Sequence, residues 1–395
     1  MTAATSFMAK YPRIKAVNSF MAKYRCLHIW FFTDFLLLAA YVICRRNRAW
    51  MNTLTRHFTL PLQQISGRLC SHVSVSVMEI LAALLVLTAT GYLIGNVIFI
   101  ARTNPPRRGY IYTAFMRAVC AGLSLEVLFC LMWGVNFRAD GFQEQSGFYA
   151  RPVSDEDLYA VTVYFAQNLS IAADHVPRDE NGLFAVSRAD ILHDAPDIYD
   201  PTEKIYPFLA FDDIGVKPMF FSRLMSRMNF TGFYFSCTGE ANVNVDSPAC
   251  LLPATVAHEM THQRGIASEQ ECNFLAVLAC VNSENPAYIY AGWLDGYIYL
   301  SNALWKSNPD AYREIYAALP QTVRTDLADN SAYWDQFRDG VVKTVSTTVY
   351  DGILKSYGDN RGIRAYGAVV DLLTAYYAPE TSSLPGTSEM PENGT

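Results

Sequence analysis

Acidic side chains are almost missing from the first 138 residues of this 395-residue chain, which hold 15 lysines and arginines but only Asp34, Glu79 and Glu126. The remainder has the opposite bias, with 16 basic and 34 acidic residues, so a region of net charge +12 precedes one of net charge −18. This split excludes a single soluble globule with a uniform surface, and the acidic bulk argues against nucleic-acid binding. Charged residues make up only 17% of the chain and hydrophobic residues 51%, which excludes a largely disordered protein.

Cysteine-based metal knuckles are also lacking, because none of the nine cysteines forms a C-x-x-C pair. Cys237 and Cys250 flank a candidate strand, where an exported domain would allow a disulfide across a hairpin. Cys272 and Cys280 lie on one predicted helix, roughly 12 Å apart along its axis, which is too far for a bond. We therefore do not expect cysteine to carry the chemistry of this protein.

Three apolar runs occupy the basic part of the chain, at residues 27–44, 77–101 and 118–135. A bilayer core about 30 Å thick requires about 20 apolar residues in a helix, which the second run satisfies and the other two approach. A signal peptide is the alternative for the first run, but the residues that follow it, Cys44 and two arginines, are not a small-residue cleavage site. We predict that residues 1–138 form an N-terminal tail and a three-helix membrane anchor.

The distribution of cations predicts the orientation of this anchor. Nine cations lie in the N-terminal tail and the loop 102–117, which share one side of the bilayer, against five in the loop 45–76. The positive-inside tendency therefore predicts a multi-pass protein of the cytoplasmic (inner) membrane, with a cytoplasmic N-terminus and with all residues after about 138 outside. The lipid bilayer is thus an expected partner. A transporter built on the acids of the three runs is a weaker hypothesis, because those acids have no basic partners there.

Residues 139–378 are expected to form one domain, mostly α-helical with a small β-sheet. The sequence from Ser154 to Asp157 is a capping box that opens a helix ending at about Ala173. Residues 238–245 alternate between apolar and polar side chains and predict a strand. Residues 174–215 are expected to be irregular, and 379–395 to be a disordered tail. Further helices are predicted at 252–264, 268–281, 286–306, 309–318, 330–356 and 365–377.

Residues 258–262 spell H-E-x-x-H inside one of these predicted helices, with Gly265 as a plausible helix stop. Histidines four positions apart project from one helical face, so His258 and His262 can bind a single Zn²⁺. Glu259 projects to the same side and is the expected general base toward the water that attacks a peptide carbonyl. With seven histidines in the chain, such a pentapeptide arises by chance in roughly one protein in a hundred, so its context matters.

A catalytic zinc site needs a third protein ligand. In the longer motif H-E-x-x-H-x-x-G-x-x-H the third ligand would fall at Ser268, and serine is a poor zinc ligand. Glu269 and Glu271 are the next candidates. Glu271 completes a capping box with Ser268 and so has a structural role available, which favours Glu269 and leaves Glu271 as the alternative. Asn273 follows Glu269 on the same helical face and is placed to orient a ligand histidine.

Residues 269–273 (EQECN) resemble the E-x-x-A/C-D/N helix of membrane-bound gluzincins, which include the CAAX-processing and beta-lactam sensor proteases. The resemblance implies that the first Glu, here Glu269, binds zinc. The spacing differs, since many residues separate the two helices in those proteases and only seven positions separate His262 from Glu269. Arg264 is also unusual, because soluble zincins commonly have an apolar residue at that position.

Four segments resemble a bacterial family of predicted membrane-anchored zinc peptidases, known as domain of unknown function 3810. The resemblance implies three membrane spans followed by an extracytoplasmic zincin-like (gluzincin) domain. Cys272 differs from the alanine usual in that family. The four segments are residues 133–138, 231–245, 252–280 and 357–373.

The sequence therefore predicts a zinc metallopeptidase that hydrolyses peptide or protein substrates outside the cytoplasmic membrane. His258, His262 and Glu269 would bind Zn²⁺, and Glu259 would act as the catalytic base. A non-catalytic receptor or envelope scaffold, or a sensor-transducer, that retains the zincin fold is the alternative. A structural zinc usually has four protein ligands, so a set of three favours catalysis.

Two further features are weaker candidates for a role at the site. The strand at 238–245 is a candidate edge strand that pairs with an extended substrate, although an ordinary edge strand explains it as well. Arg364 and Tyr366 are candidate donors to the oxyanion of the tetrahedral intermediate, although surface and packing roles are commoner for such residues.

Overall fold

The computed structural model describes residues 12–103, 107–212, 214–338, 340–357 and 366–381. The chain divides into two compact units. Unit 1 comprises residues up to Met51 together with Ile80–Val135, and unit 2 comprises Asn52–Glu79 together with the chain from Asn136 onward. Unit 2 is therefore built from two separate stretches of sequence. Most of the predicted disordered tail, from residue 382, lies outside the described residues.

The first part of the chain is helical. Three of its helices, α2, α5 and α6 with its continuation to Gly134, are long and apolar enough to cross a membrane, which is compatible with the predicted anchor. The third begins ten residues before the predicted run, because polar side chains such as Arg117 interrupt the hydropathy pattern but not the helix. The helices are α1 (Pro12–Lys23), α2 (Arg25–Cys44), α3 (Arg48–Leu54), α4 (Leu60–Ser71), α5 (Val77–Arg102) and α6 (Arg108–Phe129), with π-helical turns at Thr55–Thr59 and Cys130–Gly134.

Polar side chains of α2 pair with α6 inside unit 1. Ser124 donates a hydrogen bond to Asp34 (2.7 Å), and the Tyr41 hydroxyl donates to the carbonyl of Gly134 (2.8 Å). Such pairing offsets the cost of a carboxylate in an apolar helix. Asp34 thus has a hydrogen-bond partner on the neighbouring helix. Glu79, another of the three acidic residues of the apolar runs, belongs to unit 2.

Unit 2 is mostly helical with a small three-stranded sheet, as the sequence predicted. Its elements from residue 139 begin with α7 (Phe142–Ser146), α8 (Asp155–Ala173), α9 (Arg188–His193), α10 (Asp200–Ile205), β1 (Lys217–Pro218), α11 (Ser222–Met228), β2 (Gly232–Phe235) and β3 (Glu240–Val243). They continue with α12 (Leu252–Gln263), α13 (Glu269–Asn282), α14 (Pro286–Ser307), α15 (Pro309–Ala318), α16 (Gln321–Asp335), α17 (Val341–Tyr357) and α18 (Tyr366–Thr381).

Local signals determined most of these boundaries. Helix α8 has the predicted bounds, because the Ser154 side chain accepts a hydrogen bond from the Asp157 amide (3.0 Å). Two predictions were wrong. The single helix predicted at 330–356 is two helices, α16 and α17, with a turn at residues 336–338. The stretch 174–215 is not irregular throughout, since it contains α9 and α10.

The core of unit 2 lies where α8 and α13 pack on α14 and where α12 packs on α13. Helix α12 is covered on one side by the sheet and on the other by α13, and its Val256, Ala257 and Met260 side chains are fully buried. A helix that is buried on both sides in this way is held rigidly by its packing. This is the helix that carries the H-E-x-x-H sequence.

The sheet has the strand order β1-β3-β2, with β1 parallel and β2 antiparallel to β3. The predicted strand at 238–245 is β3, and it is the central strand rather than an edge strand. The prediction failed because β1 joins it from a distant part of the chain, with Lys217 opposite Asn242. The edge strand next to the candidate site is β2.

All nine cysteines carry free thiols. The bridge considered between Cys237 and Cys250 is therefore not formed. Cys237 is partly exposed and Cys250 is buried. The hairpin of β2 and β3 is therefore held by strand pairing and packing and not by a disulfide.

Candidate metal centre

Helix α12 presents both histidines of the motif on one face. The two imidazole rings have centroids 4.9 Å apart, as expected for positions i and i+4. The helix ends at Gln263, and Gly265 follows with φ of +85°, a conformation that favours glycine. The amide of Gly265 donates to the carbonyl of His262 (2.9 Å), so the predicted helix stop is present.

The first residue of α13 brings a carboxylate to the two histidines. Glu269 Oε2 lies 3.3 Å from His258 Nε2, and Glu269 Oε1 lies 3.7 Å from His262 Nε2. One ligand atom from each of the three residues lies within 4.8 Å of the others. Among the described residues, no other group of three His, Cys, Asp or Glu side chains is gathered in this way. The short connection between α12 and α13 therefore suffices to close a three-ligand cluster.

Glu271 points to a different part of unit 2. Its carboxylate accepts hydrogen bonds from the amides of Phe142 (2.8 Å) and Gln143 (3.2 Å) and from the Gln143 side chain (3.1 Å). The predicted capping box is not formed, because the Ser268 side chain makes no capping bond. The unsatisfied amides at the start of α7 take the Glu271 carboxylate instead.

Each histidine is held by a second contact. The His262 ring, through Nδ1, lies 2.8 Å from the carbonyl oxygen of Ile266, which leaves Nε2 directed at Glu269. The His258 ring is hydrogen-bonded by the side chain of Asn273, the residue that the sequence singled out for this role. Partners of this kind fix the orientation and tautomer of imidazoles that bind metals.

The sequence did not reveal Tyr350, which lies on α17. Its hydroxyl donates to Glu269 Oε1 at 2.5 Å and so orients the carboxylate of the cluster. Tyr350 lies 81 positions from Glu269, and no local pattern marks it as part of the site. Only the packing of α17 against the rest of unit 2 brings it there.

Glu259 is buried between α12 and the edge strand β2. It is 4% exposed, and the Tyr234 backbone hydrogen-bonds to its carboxylate. A side chain on Gly232 would place its Cβ 2.3 Å from Glu259 Oε1, so only glycine at that position leaves room for this carboxylate. The second oxygen, Oε2, is buried without a hydrogen-bond partner. A buried carboxylate oxygen that receives no hydrogen bond from the protein is a costly arrangement, and a catalytic role is one of its explanations.

The three clustered side chains strongly shift one another's pKa values. Burial lowers the pKa of His258, but the hydrogen bond and charge of Glu269 outweigh it and raise that pKa to about 9. Burial raises the pKa of Glu269, but His258 and His262 outweigh it and hold that pKa at about 2. Burial also lowers the pKa of His262 to about 4. The raised pKa of His258 and the lowered pKa of Glu269 mean that each side chain favours the charged form of the other, as expected where a carboxylate faces an imidazole.

Two further carboxyl groups near His258, those of Glu259 and Asp295, also have shifted pKa values. Burial raises the pKa of Glu259 to about 8, against the opposing effect of His258. Burial likewise raises the pKa of Asp295, on α14, to about 7, and the charge of His258 again opposes it. Several carboxyl groups with shifted pKa values close to one histidine are typical of functional sites.

Arg264, the residue that is unusual beside the motif, is buried and paired. Its guanidinium donates to Glu203 (2.7 Å) and lies 3.9 Å from the centroid of the Tyr199 ring. The Tyr199 hydroxyl in turn donates to the carbonyl of Ala257 on α12 (3.0 Å). The Arg264 guanidinium therefore contacts residues that pack against α12 and is not part of the His-His-Glu cluster.

An apolar groove of about 480 Å³ opens beside Tyr350. Val345 and Val349 of α17 line it and are more than half exposed. The rings of Phe230 and Tyr350 meet edge to face at 5.4 Å between centroids. Tyr350 lines this groove and also donates a hydrogen bond to Glu269 of the His-His-Glu cluster. Its lining includes Met228, Phe230, Val342, Val345, Val349 and Tyr350.

Neither candidate oxyanion donor has a described side chain. Arg364 lies outside the described residues, and Tyr366 begins α18 without a described side chain. The site as observed consists of the three clustered side chains, the buried Glu259, the supporting contacts and the groove.

Comparison with known proteins yields one family. A family model described as "Protein of unknown function (DUF3810)" matches residues 55–374, which is most of the chain. No curated protein and no solved structure gives a significant match.

Proposed function

The chain belongs to the DUF3810 family, and we propose that it is a membrane-anchored, zinc-dependent endopeptidase whose catalytic unit lies outside the cytoplasmic membrane. One observation carries the proposal. His258, His262 and Glu269 converge within 4.8 Å, next to a buried glutamate with an unpaired carboxylate oxygen. The three apolar helices near the N-terminus support a membrane anchor.

The donor set fits a catalytic zinc ion. Two imidazoles and one carboxylate are ligands that zinc prefers, and three protein ligands leave a fourth position open. His258, His262 and Glu269 would hold the ion, with Asn273, Ile266 and Tyr350 orienting them. A zinc ion held there supplies a Lewis acid that polarises the scissile carbonyl.

Glu259 has the position required of the general base. Its unpaired Oε2 would accept a proton from the water that attacks the peptide carbonyl and later deliver that proton to the departing amine. Burial raises the pKa of Glu259, and a cation bound beside it would lower that pKa and favour the ionised form that accepts a proton. The water oxygen first adds to the carbonyl carbon to give a tetrahedral intermediate, and the C–N bond then breaks as Glu259 returns the proton to the departing amine.

Strand β2 offers a place for the substrate backbone. It is the edge strand of the sheet, and it runs past Glu259 through Gly232 and the Tyr234 backbone. An extended peptide that adds to this edge gains main-chain hydrogen bonds. The apolar groove beside Tyr350 would then take a large apolar side chain near the scissile bond.

The test is metal content and peptide hydrolysis of the full-length protein in detergent. We expect a single zinc ion per chain after chelation and re-loading, and cleavage of peptides from a mixture that contains large apolar side chains. Glu259→Gln should keep the zinc and lose hydrolysis, and a His258→Ala/His262→Ala variant should lose both. Turnover by Glu259→Gln would disprove the mechanism. Absence of zinc from the re-loaded wild type would instead favour a receptor or scaffold.

A further inference from the structure

A pair of phenylalanines stands exposed on the surface of unit 2, between β1 and α11. Phe220 is 86% exposed and Phe221 is 49% exposed, and Leu224 in the first turns of α11 is 48% exposed. The two rings contact each other edge to face, with centroids 5.0 Å apart. Single exposed apolar residues are ordinary, but adjacent bulky ones on a short connection form a patch that calls for a partner.

The backbone of this pair is attached to the first turn of α5. The amides of Phe220 and Phe221 donate to the two carboxylate oxygens of Glu79, at 2.8 and 2.9 Å. Glu79 is the third residue of α5, and the apolar run of that helix begins directly after it. The aromatic pair is therefore attached to the residue that directly precedes the apolar run of α5.

A buried ion pair between Glu240 and Lys217 of the sheet also holds the first turn of α5 in place. Glu240, at the start of β3, accepts hydrogen bonds from the amides of Val77 (3.0 Å) and Met78 (2.9 Å). Lys217 of β1 donates to Glu240 at 2.5 Å and to the carbonyls of Cys70 (2.7 Å) and Val75 (3.1 Å). These contacts satisfy the amides at the start of α5 and tie residues 70–79 to the sheet.

We propose that Phe220, Phe221 and Leu224 insert into the outer interfacial layer of the bilayer that α5 crosses. A helix that crosses a bilayer begins its apolar run at the headgroup boundary, and Glu79 marks that boundary on α5. Aromatic and large aliphatic side chains on a polar unit are the residues that enter such an interface. The continuity of α5 with the bilayer selects lipid as the occupant over a protein partner.

The insertion would bring the candidate site close to the membrane. Strand β1 ends two residues before Phe220, and β2, which runs past Glu259, lies two strands away in the same sheet. Two strand spacings amount to roughly 10 Å. If the proposed peptidase function holds, its substrates are peptide segments near the membrane surface. The insertion itself does not depend on that function.

The test uses an environment-sensitive fluorophore on a cysteine at position 220. The full chain, with its accessible native cysteines replaced by serine, is labelled as Phe220→Cys and reconstituted into phosphatidylcholine vesicles with or without spin-labelled lipid. Ile171→Cys is the matched control, because Ile171 is an apolar residue of α8 that is 62% exposed. We expect blue-shifted emission and strong quenching by the lipid at position 220, and neither at position 171.

Equal quenching at positions 220 and 171 would overturn the proposal. A blue shift at 220 without lipid quenching would also overturn it, because a second copy or another protein would then cover the patch. Phe220→Trp, which keeps an aromatic ring, provides a second measurement with brominated lipid. Its added fluorescence should be lost in brominated vesicles and retained in ordinary ones.

Discussion

The hydroxyl of Tyr350 donates a hydrogen bond to the carboxylate of Glu269 at 2.5 Å. Glu269 also faces both histidines of the motif, so Tyr350 determines how the carboxylate is presented to them. The same tyrosine lines the apolar groove. Helix α17 therefore links the geometry of the His-His-Glu cluster to the surface on which a substrate side chain would lie.

Removal of this hydroxyl should weaken metal binding. We expect Tyr350→Phe to lower zinc affinity by about 10–100-fold, the usual effect of losing a partner that orients a ligand. The ring remains, so the groove should keep its shape. The measurement is competition for zinc with a chelator of known affinity. Tyr149→Phe is the control, because Tyr149 is 59% exposed, and equal affinities of the two variants would contradict the role assigned to Tyr350.

Glu269 and Glu271 provide a matched pair of substitutions two residues apart. Glu269→Gln should abolish zinc retention, since it replaces the carboxylate of the cluster. Glu271→Gln should retain zinc but reduce the free energy of unfolding by about 1–3 kcal/mol, because the amides of Phe142 and Gln143 lose a charged acceptor. Metal analysis measures zinc retention, and denaturant unfolding measures the change in the free energy of unfolding. Loss of zinc from the Glu271 variant alone would reverse the assignment.

Gly232 should be required for activity and not for metal binding. A Cβ at this position would lie 2.3 Å from Glu259 Oε1, so Gly232→Ala must displace the carboxylate. A displacement of the Glu259 carboxylate by about 1 Å is expected to lower kcat by about 100-fold, while the zinc content stays unchanged. Gly215→Ala is the control, because nothing lies within 4 Å of its Cβ position. Full activity of Gly232→Ala would show that the position of Glu259 is not critical.

The buried pair of Lys217 and Glu240 should matter for stability. Their side chains are 8% and 1% exposed, so Lys217→Met leaves a buried carboxylate without its cation. We expect a loss of about 3–5 kcal/mol in the free energy of unfolding. Arg313→Met removes the exposed pair with Asp310 and should change stability by less than about 1 kcal/mol. Thermal unfolding of both variants in detergent compares them, and equal stability would mean that the buried pair is solvated.

Short-range sequence signals predicted a large part of the site. The H-E-x-x-H spacing and the glycine stop at Gly265 are determined within about two helical turns. The start of α13 at Glu269 lies within one residue of its predicted position, although the capping box on which that prediction relied is not formed. These features depend on backbone hydrogen bonds and on the side-chain periodicity of a helix, and residues close in sequence determine both.

The sequence by itself thus determined the apolar helices, the helical character of unit 2 and the face that carries His258 and His262. Only the tertiary structure decided that Tyr350 meets Glu269, that Glu271 caps α7, and that β3 is the central strand of the sheet. It also decided that residues 52–79 belong to unit 2. These contacts join residues that are tens to more than a hundred positions apart, and their energy comes from burial and charge pairing that exist only after the chain has folded.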